Sequence, residues 1–263
     1  MKTGVADIVV DSEEQRRLRE RSFSVRVPAS TANLGAGFDC FGLALKLYLR
    51  VSARIAPEAT VACRVRMRGE GSDRTLASIE ENLIVRAMRF TAERERLSLP
   101  PLELEVNNEL PLARGLGSSA TAIVAGIMLT SLVCDRGLSA AAVLRYAVEM
   151  EGHADNIAAA CLGGLVVSCV RPDGSVAAVK RSWPSELKVV VVSPEAFLKT
   201  HDTRSVLPVS VPRNDAVFNL QRAALFVAAL EAGEYDLLWD AMQDRLHQVH
   251  RQSLVRGLAE ALA

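Results

Sequence analysis

The sequence predicts a globular chain that mixes β-strands and α-helices in one large or two modest domains. Strand patterns come first, helix patterns follow, and two further strand patterns precede a helical C-terminal part. The chain has 263 residues, of which 49% are hydrophobic and 24% are charged. This length and composition support a sizeable core and exclude disorder as the main state.

The N-terminal part contains three strand patterns after a charged extension. Residues 1–21 have mixed charges and no apolar core region, so we expect a solvated extension and no secretory signal. β-branched and aromatic residues are frequent over 23–27 and 41–55, with a Gly-containing loop between them. Over 61–67, apolar residues alternate with arginines, which predicts a half-buried strand with its guanidinium groups in solvent.

Helix patterns dominate the middle of the chain. Residues 80–97 have their apolar side chains at helical spacing, and a short strand pattern follows at 102–106. Ser139 is suited to capping the N-terminus of a helix. Three more helices are therefore expected, over 118–134, 139–151 and 154–162.

The remaining residues predict a hairpin, a domain boundary and a helical end. Strands are expected at 165–170 and 187–192, separated by a polar turn around Pro172-Asp173-Gly174. We place a domain boundary near 181–185. Helices are then expected over 215–232, 234–247 and 253–263.

Charge and cysteine content exclude several classes of function. The 31 basic and 31 acidic residues cancel, which argues against a nucleic-acid-binding protein. Gly115–Cys134 has no charged residue, but its first five residues are typical of a loop, so we expect no membrane span. The five cysteines lack zinc or redox spacing and indicate reduced thiols in the cytoplasm, with an organellar stroma left open.

The segment Pro111-Leu-Ala-Arg-Gly-Leu-Gly-Ser-Ser-Ala-Thr121 has the composition of a phosphate-binding turn. Gly115 and Gly117 remove side chains where a backbone approaches a ligand, and Ser118-Ser119 stand where a helix begins. The free amides and positive dipole end of that helix favour an anion, to which Arg114 adds a charge-assisted contact. The segment lacks the Walker lysine and the Rossmann spacing, and an ordinary Gly-rich turn is the alternative.

Two other segments concentrate polar groups. Glu151-Gly-His-Ala-Asp-Asn156 brings two carboxylates, an imidazole and an amide together between two helix patterns. Pro28-Ala-Ser-Thr-Ala-Asn-Leu-Gly-Ala-Gly-Phe-Asp39 is a hydroxyl- and amide-bearing loop between two strands. Taken alone, the first is equally a capping segment with a solvated histidine and the second an ordinary turn.

Taken together and in this order, the three segments resemble homoserine kinases of the GHMP small-molecule kinase superfamily. The resemblance spans 26–258 and includes Gly42-Leu-Ala-Leu and Gly163-Gly164. The Gly-rich turn by itself marks the superfamily. The combination of P-A-S-T-A-N-L-G-x-G-F-D with G-H-x-D-N is specific to the homoserine branch.

The resemblance implies transfer of the ATP γ-phosphoryl group to the side-chain hydroxyl of L-homoserine, a step of threonine biosynthesis. Ser119 is the implied serine ligand of Mg²⁺, with Ser118 as the fallback, and Glu151 is the implied carboxylate ligand. Asn82 matches a position that lines the adenine pocket. The implied phosphate-binding residues are Pro111, Arg114, Gly115, Leu116, Gly117, Ser118, Ser119 and Ala120.

The resemblance also implies a site for the amino acid. An anionic Asp39 suits the substrate ammonium group, and arginine forks grip a carboxylate. Mevalonate-type relatives place an aspartate base where this chain has Asn156, so we expect catalysis without a strong protein base. The residues implied around homoserine are Asn33, Asp39, His153, Asn156, Thr200, Arg204 and Arg251.

By the same resemblance the fold is α+β in two domains. Residues 22–183 would form the N-terminal ATP-binding domain, with a left-handed β-α-β phosphate-loop unit, and 184–263 a ferredoxin-like C-terminal domain. The family continues into another Gly-rich motif where this chain stops, so we expect a shortened second domain. A non-catalytic protein that binds nucleotide or homoserine, and a GHMP kinase with another acceptor, are the alternatives. A homodimer is compatible with the family.

Overall fold

The computed structural model describes residues 21–73, 79–112, 114–192, 204–254 and 257. In these residues, six strands form one sheet in the order β3-β4-β2-β5-β6, with β1 paired to β2. The strands are β1 (Ser22–Ala32), β2 (Phe41–Ile55), β3 (Cys63–Gly69), β4 (Leu102–Asn108), β5 (Leu165–Val170) and β6 (Val176–Arg181). The α-helices are α1 (Leu83–Glu95), α2 (Ser118–Val133), α3 (Ala140–Glu151), α4 (Asp155–Leu162), α5 (Arg213–Ala232), α6 (Leu238–Ala241) and α7 (Gln248–Arg251).

The long strand β2 organises the sheet. It pairs antiparallel with β1 on one edge, and with β4 and then β5 on the other. Its residues Leu49, Val51, Ala53 and Ile55 alternate along one face and are all buried, as the period of two requires. The β1–β2 register shifts between Pro28 and Ser30, which marks a β-bulge.

Helices cover the buried face of the sheet. Helix α2 is apolar on all sides because it lies inside the helical layer, with Ile123, Val124 and Ile127 fully buried. A Cβ on Gly126 would lie 2.4 Å from the Ile84 carbonyl oxygen, so this glycine lets α1 and α2 approach closely. The crossover β3-α1-β4 supplies the parallel strand pair among the described residues.

A second apolar cluster joins the C-terminal helices to the sheet. Phe226 of α5 is buried and stacks on Phe41 of β2, with ring centroids 5.1 Å apart. Leu43 and Leu165 belong to the same cluster. This contact fixes α5 beside the loop that connects β1 to β2.

Several of the predicted elements are confirmed. The strands predicted at 41–55 and 165–170 have those bounds, and Ser139 caps α3 by accepting a hydrogen bond from the amide of Ala142 at 3.2 Å. In β3, the arginines alternate with half-buried apolar residues, as the sequence pattern predicts. Helix α2 begins at Ser118 and ends one residue before the predicted end.

The strand predicted at 187–192 is wrong. These residues lie outside any strand, and Val190 and Val192 are 83% and 87% exposed. β-branched residues favour an extended backbone, but a strand also needs a neighbour for its amides and carbonyls, and no described strand pairs with this one. The hairpin partner of β5 is instead β6, which the sequence analysis missed because its residues 176–181 include two alanines and two basic residues.

The helix predicted over 234–247 is also wrong. A 3-10 turn at Tyr235–Leu237 and the single turn of α6 replace it. Asp244 interrupts the helix because its Oδ2 accepts hydrogen bonds from the amides of His247 and Gln248, at 2.8 and 2.7 Å. Aspartate competes with the helical ladder in this way and favours caps. Of the last predicted helix, over 253–263, the described residues 253–254 lie in a 3-10 turn, Gln252–Leu254, that follows α7, and most of the rest lies outside the described residues.

The uncharged stretch that ends at Cys134 forms a buried helix of the core. Among the described residues, no helix has both the length and the apolar character needed to cross a bilayer.

Candidate functional site

The phosphate-binding turn predicted from the sequence lies between β4 and α2, and we call 111–120 the phosphate loop. Gly117 caps α2 with a φ of 67° and contributes no side-chain hydrogen bond. The first amides of α2 therefore have neither a helical partner nor a side-chain cap at that position. Such a helix end favours an anion.

The two glycines of the loop differ in how much space surrounds them. A Cβ on Gly117 would lie 2.3 Å from the Ser30 hydroxyl and 3.0 Å from Asn156 Oδ1, so only glycine fits between β1 and α4. A Cβ on Gly115 would meet no atom within 4 Å, although its φ is 72°. The loop is therefore packed against the protein at Gly117 and open at Gly115.

The two serines at the start of α2 have different partners. Ser118 donates its hydroxyl to the carbonyl of Pro111 at 3.3 Å, which closes the loop. Ser119 donates to Glu151 Oε2 at 2.7 Å, across to the end of α3. The Glu151 carboxylate is largely buried, with 12% of the side chain exposed. A hydroxyl and a carboxylate at this distance are hard oxygen ligands of the kind that Mg²⁺ prefers.

The remaining predicted nucleotide residues lie around this loop. Leu116 and Ala120 are buried and anchor it in the core, while Arg114 is half-buried. Asn82 is the N-cap of α1, and its Oδ1 accepts a hydrogen bond from the amide of Ile84 at 3.0 Å. The cap occupies the side-chain oxygen, so any contact between Asn82 and a purine would come from its amide nitrogen.

Between α3 and α4, His153 is held by a carboxylate. Its Nδ1 lies 2.8 Å from Oδ1 of Asp155, which is 2% exposed. This hydrogen bond raises the pKa of His153 above its usual value, against the opposing effect of burial. Its Nε2 lies 3.9 Å from Glu151 Oε1, so the imidazole and the Glu151 carboxylate face one space.

Asn156 connects this segment to β1 and to the phosphate loop. Ser30 donates its hydroxyl to Asn156 Oδ1 at 2.9 Å, and the Ser30 amide donates to the Leu116 carbonyl at 3.2 Å. Ser30 follows the β1 bulge, so the bulge places it between these two segments.

The loop between β1 and β2, Asn33–Asp39, carries two more predicted residues, and we call it the acceptor loop. Asn33, Leu34 and Asp39 all have positive φ, at 71°, 43° and 56°. Non-glycine residues rarely adopt this conformation, and clusters of it mark functional loops. Asn33 Oδ1 accepts a hydrogen bond from the Asp39 amide at 3.0 Å, which closes the loop on itself.

Arg204 forms a two-pronged ion pair with Asp39. Its Nη1 lies 3.0 Å from Oδ2, and its Nη2 contacts Oδ1. The bond to Asp39 raises the pKa of Arg204. Arg204 Nε is buried and has no hydrogen-bond partner among the described residues. The two groups predicted to bind opposite ends of an amino acid therefore neutralise each other in this structure.

Arg251 lies on the other side of the same loop. The guanidinium groups of Arg204 and Arg251 each lie 5.4 Å from the centroid of the Phe38 ring. Burial and the neighbouring Arg204 charge lower the pKa of Arg251. Two guanidinium groups thus contact a single aromatic ring.

His153 is influenced by groups that contact both loops, since Glu151 is bonded to Ser119 and Arg204 to Asp39. The charges of Arg204 and Glu151 both influence the pKa of His153, and those of Asp39 and Glu151 influence the pKa of Arg204. Asp39, Glu151, His153 and Arg204 are therefore close enough to interact electrostatically, whereas the contacts described for Asn82 are those of a helix cap. Thr200 lies outside the described residues.

The sequence analysis assigned no role to Asp155 or Ser30, although both lie in the segments that it singled out. In the structure, Asp155 orients His153 through a hydrogen bond, and Ser30 connects Asn156 to the phosphate loop. The sequence signal for the role of Asp155 is an aspartate that lies two residues after a histidine and at the start of a helix. The role of Ser30 depends on a β-bulge that no sequence pattern indicates.

Comparison with known proteins agrees with this geometry. The family model "GHMP kinases N terminal domain" matches residues 82–164, which include the phosphate loop and the Glu151–Asn156 segment. A homoserine kinase of Solibacter usitatus is 41% identical over 241 residues, covering 91% of this chain and 77% of that protein. One of Leifsonia xyli is 46% identical over 242 residues, covering 90% and 72%.

Solved structures give the same result. The crystal structure of homoserine kinase from Cytophaga hutchinsonii has a TM-score of 0.73 and 26% identity, covering 91% of this chain and 76% of that one. The L. major mevalonate kinase, at 15% identity and a TM-score of 0.60, shares the fold. Sequence and structure together establish that this chain belongs to the homoserine kinase family of the GHMP kinases.

Proposed function

We propose that this chain transfers the γ-phosphoryl group of ATP to the side-chain hydroxyl of L-homoserine, giving O-phospho-L-homoserine for threonine biosynthesis. One observation carries the proposal: Glu151, which is bonded to Ser119, and Arg204, which is paired with Asp39, both act electrostatically on His153. A phosphoryl donor and an amino-acid acceptor would then meet beside one imidazole. Five free thiols support a cytoplasmic setting.

The phosphate loop would hold the nucleotide. Membership of a kinase family implies ATP as the donor. Amides at the start of α2 and the Arg114 guanidinium would bind its phosphates, and Gly115 leaves the loop open to them. Asn82 would contribute to the purine site through its amide nitrogen.

The oxygen ligands at the loop fit Mg²⁺. Ser119 Oγ and the Glu151 carboxylate are already hydrogen-bonded at 2.7 Å, whereas the Ser118 hydroxyl is directed to the Pro111 carbonyl. This supports Ser119 over Ser118 as the serine ligand. The ion would supply neutralisation of the phosphate charge and orientation of the transferred group. Glu151 would hold it from the end of α3.

The acceptor loop and the arginines would hold the amino acid. An incoming ammonium group would take the place of Arg204 at Asp39, and a carboxylate would take the place of Asp39 at Arg204 and Arg251. The buried Nε of Arg204 would gain an acceptor from that carboxylate. The Asp39–Arg204 ion pair would thus supply both halves of a site for a zwitterion.

The chemistry would rest on positioning and charge. The carboxylate of Asp155 is bonded to His153, and Asn156 offers an amide in place of a base. Because the Asp155 carboxylate only accepts, His153 Nδ1 carries the hydrogen, and Nε2, which faces the Glu151 side, would accept a hydrogen bond from the homoserine hydroxyl when the ring is neutral and donate one when it is protonated. Phosphoryl transfer with a loose transition state needs little proton abstraction, so these groups suffice.

Steady-state assays of purified chain with ATP, Mg²⁺ and homoserine test the proposal. We expect turnover with L-homoserine and none with mevalonate or galactose as acceptor. Calorimetric binding of ATP is measured alongside. Tight binding without turnover would favour a non-catalytic member of the family, and turnover with another acceptor would reassign the substrate.

A further inference from the structure

A buried polar cluster, outside the groups assigned above, connects the C-terminal helices to the acceptor loop. It consists of Asn219 of α5, with Asp244 and His247 from the segment between α6 and α7, and these residues are 3%, 8% and 5% exposed. We call it the Asn219–Asp244–His247 cluster. Buried polar groups of this kind keep their positions because each needs its hydrogen-bond partners.

The cluster holds two consecutive carbonyls of the acceptor loop. Asn219 Nδ2 donates to Asp244 Oδ1 at 2.6 Å and faces the Ala36 carbonyl at 3.4 Å. His247 Nε2 lies 2.9 Å from the Gly35 carbonyl. A Cβ on Gly35 would lie 2.2 Å from the Met242 carbonyl oxygen, so the loop and this segment are in direct contact.

The partners of His247 fix where its proton lies. A carbonyl oxygen only accepts, so Nε2 carries the hydrogen that bonds to Gly35. A guanidinium only donates, and Arg251 Nη1 lies 3.4 Å from His247 Nδ1, so Nδ1 accepts. The imidazole is therefore neutral, with its hydrogen on Nε2. Asp244 Oδ1, 3.7 Å from Nε2, favours the same tautomer.

His247 also packs against the aromatic ring on which both arginines lie. The His247 and Phe38 rings are stacked, with centroids 5.2 Å apart and an angle of 25°. Phe38 immediately precedes Asp39. One imidazole thus contacts the backbone of the acceptor loop, the ring next to its carboxylate, and Arg251.

We propose that His247 is a positioning residue of the homoserine site, which holds the acceptor loop through Nε2–H and orients Arg251 through Nδ1. The inference rests on the proposed function, because its effect is on homoserine. His247 lies behind Phe38 and Arg251 and touches neither the phosphate loop nor the transferred group. Its loss should therefore affect the amino acid and leave the nucleotide unaffected.

Protonation of His247 would break this arrangement. A second hydrogen, on Nδ1, would face the Arg251 guanidinium and repel it. The charged groups that act on the ring are Asp244, Arg251 and Asp39, and burial keeps the pKa of His247 below its usual value. The neutral form that the geometry requires is thus the form that the surroundings favour.

Two substitutions separate the two contacts. Glutamine at 247 places an amide N–H near Nε2 and offers no acceptor at Nδ1, whereas asparagine places an oxygen near Nδ1 and does not reach Gly35. For His247→Gln, we expect the KM for homoserine to rise roughly tenfold, through loss of a hydrogen bond to a charged group, with the KM for ATP unchanged. His247→Asn should also raise the homoserine KM, through the released loop. His250→Gln, three residues further along in α7, is the matched control and should behave as wild type.

The pH dependence gives a readout that a purely structural role would not move. In wild type, kcat/KM for homoserine should fall on the acid side with the protonation of His247, and His247→Gln should lack that limb. Long-range ¹H–¹⁵N NMR of the wild-type imidazole should show hydrogen on Nε2 alone at neutral pH. Hydrogen on Nδ1 would overturn the proposal without any assay.

The outcomes distinguish this inference from the proposed function. An active wild type whose His247→Gln variant keeps its homoserine KM would overturn the positioning role alone. Equal rises in both KM values would assign His247 to general stability, which also overturns it. If wild type lacks turnover, the proposed function fails, and calorimetric binding of homoserine by the same variants then decides the positioning role. If the variants do not fold, the tautomer of His247 measured in the wild-type protein tests the positioning role.

Discussion

At the scale of single residues, the ion pair between Asp39 and Arg204 is the most informative contact. Each group was predicted to bind one end of an amino acid, and in this structure each binds the other. The pair is about one-third exposed on both sides, so solvent screens it and exchange with a zwitterion is feasible. Binding would replace one ion pair with two.

Arg204→Ala should therefore weaken homoserine binding specifically. Loss of charge-assisted bonds of this kind should raise the homoserine KM roughly ten- to hundredfold. The KM for ATP should stay near its wild-type value, because Arg204 is proposed to bind the acceptor and not the nucleotide. Steady-state kinetics measure both constants.

Arg171→Ala is the matched control for that substitution, since Arg171 is exposed in the turn between β5 and β6. A parallel rise in both KM values in Arg204→Ala would contradict the acceptor-site assignment.

Glu151→Gln should lower kcat through the metal site. Glutamine keeps the size of the side chain and removes the charge that would bind Mg²⁺, so we expect kcat to fall on the order of tenfold or more at fixed Mg²⁺. Raising the Mg²⁺ concentration should restore part of the loss, as a titration of rate against Mg²⁺ would detect. Glu149→Gln, at a half-exposed position of α3 paired with Arg94, should retain full activity. A Mg²⁺ dependence identical to that of wild type would exclude Glu151 as a ligand.

The bond between Asp155 and His153 predicts a pH-dependent contribution to stability. Because the folded pKa of His153 is raised, this contribution is full below the unfolded pKa and is lost as pH rises through the folded pKa. Asp155→Asn should lower the pKa of His153 in an NMR titration. The stability gap between wild type and variant should narrow as pH rises through that range. An unchanged His153 titration would contradict the pairing.

At the scale of elements, the start of α2 depends on one glycine that has no room for a side chain. Gly117→Ala should cost more stability than the ~1–2 kcal/mol expected for a left-handed residue alone, because its Cβ would collide with Ser30. ATP binding should weaken as well, as the loop is displaced. Chemical denaturation and ATP calorimetry measure the two effects.

Gly174→Ala measures the loss of stability that comes from the left-handed backbone conformation alone, without a steric clash. Gly174 has a φ of 78° in the turn between β5 and β6, and a Cβ there would meet no atom within 4 Å. It should lose the smaller amount of stability and bind ATP normally. Equal losses in the two variants would show that contact with Ser30 is unimportant.

Local sequence patterns correctly predict the elements that are determined by local interactions. Strand β2 and the Ser139 cap follow from alternation and capping chemistry, so the sequence predicts both. The segment 187–192 has strand composition, but pairing depends on a neighbour that no local pattern encodes. Asp244 interrupts the helix predicted over 234–247, and its side chain is held in place by Asn219, which is 25 residues away in the chain.

The same division holds for the site. Motifs identified most of its residues, because loops that hold ligands need particular residue types at fixed spacing. They did not show that Arg204 pairs with Asp39, or that His247 connects α7 to the acceptor loop, since both contacts span more than 160 residues. Tertiary packing alone brings such groups together.

At the scale of the whole molecule, residues 187–192, which pair with no described strand, present valines to solvent. Val190 and Val192 are more than four-fifths exposed, and their neighbours Val189 and Val191 are nearly half exposed. Extended apolar segments with unpaired backbone groups promote association between molecules. We therefore expect the purified chain to self-associate as its concentration rises.

The double substitution Val190→Lys with Val192→Lys should reduce that association. Light scattering over a concentration series should show a lower mean mass than for wild type, with homoserine KM unchanged. Arg171→Lys with Lys188→Arg, which preserves charge, is the matched control. Equal masses for all three proteins would place any self-association, a homodimer included, on another surface.

The three left-handed residues of the acceptor loop have a consequence for the thermodynamics of recognition. These conformations of Asn33, Leu34 and Asp39 are supported by the bond from the Asp39 amide to Asn33 and by the contacts of Asn219 and His247 with carbonyls of the loop. The conformational entropy of the loop is therefore lost during folding and not when homoserine binds. Homoserine should then bind with little rearrangement of the backbone, and its heat-capacity change should reflect the small area of the amino acid.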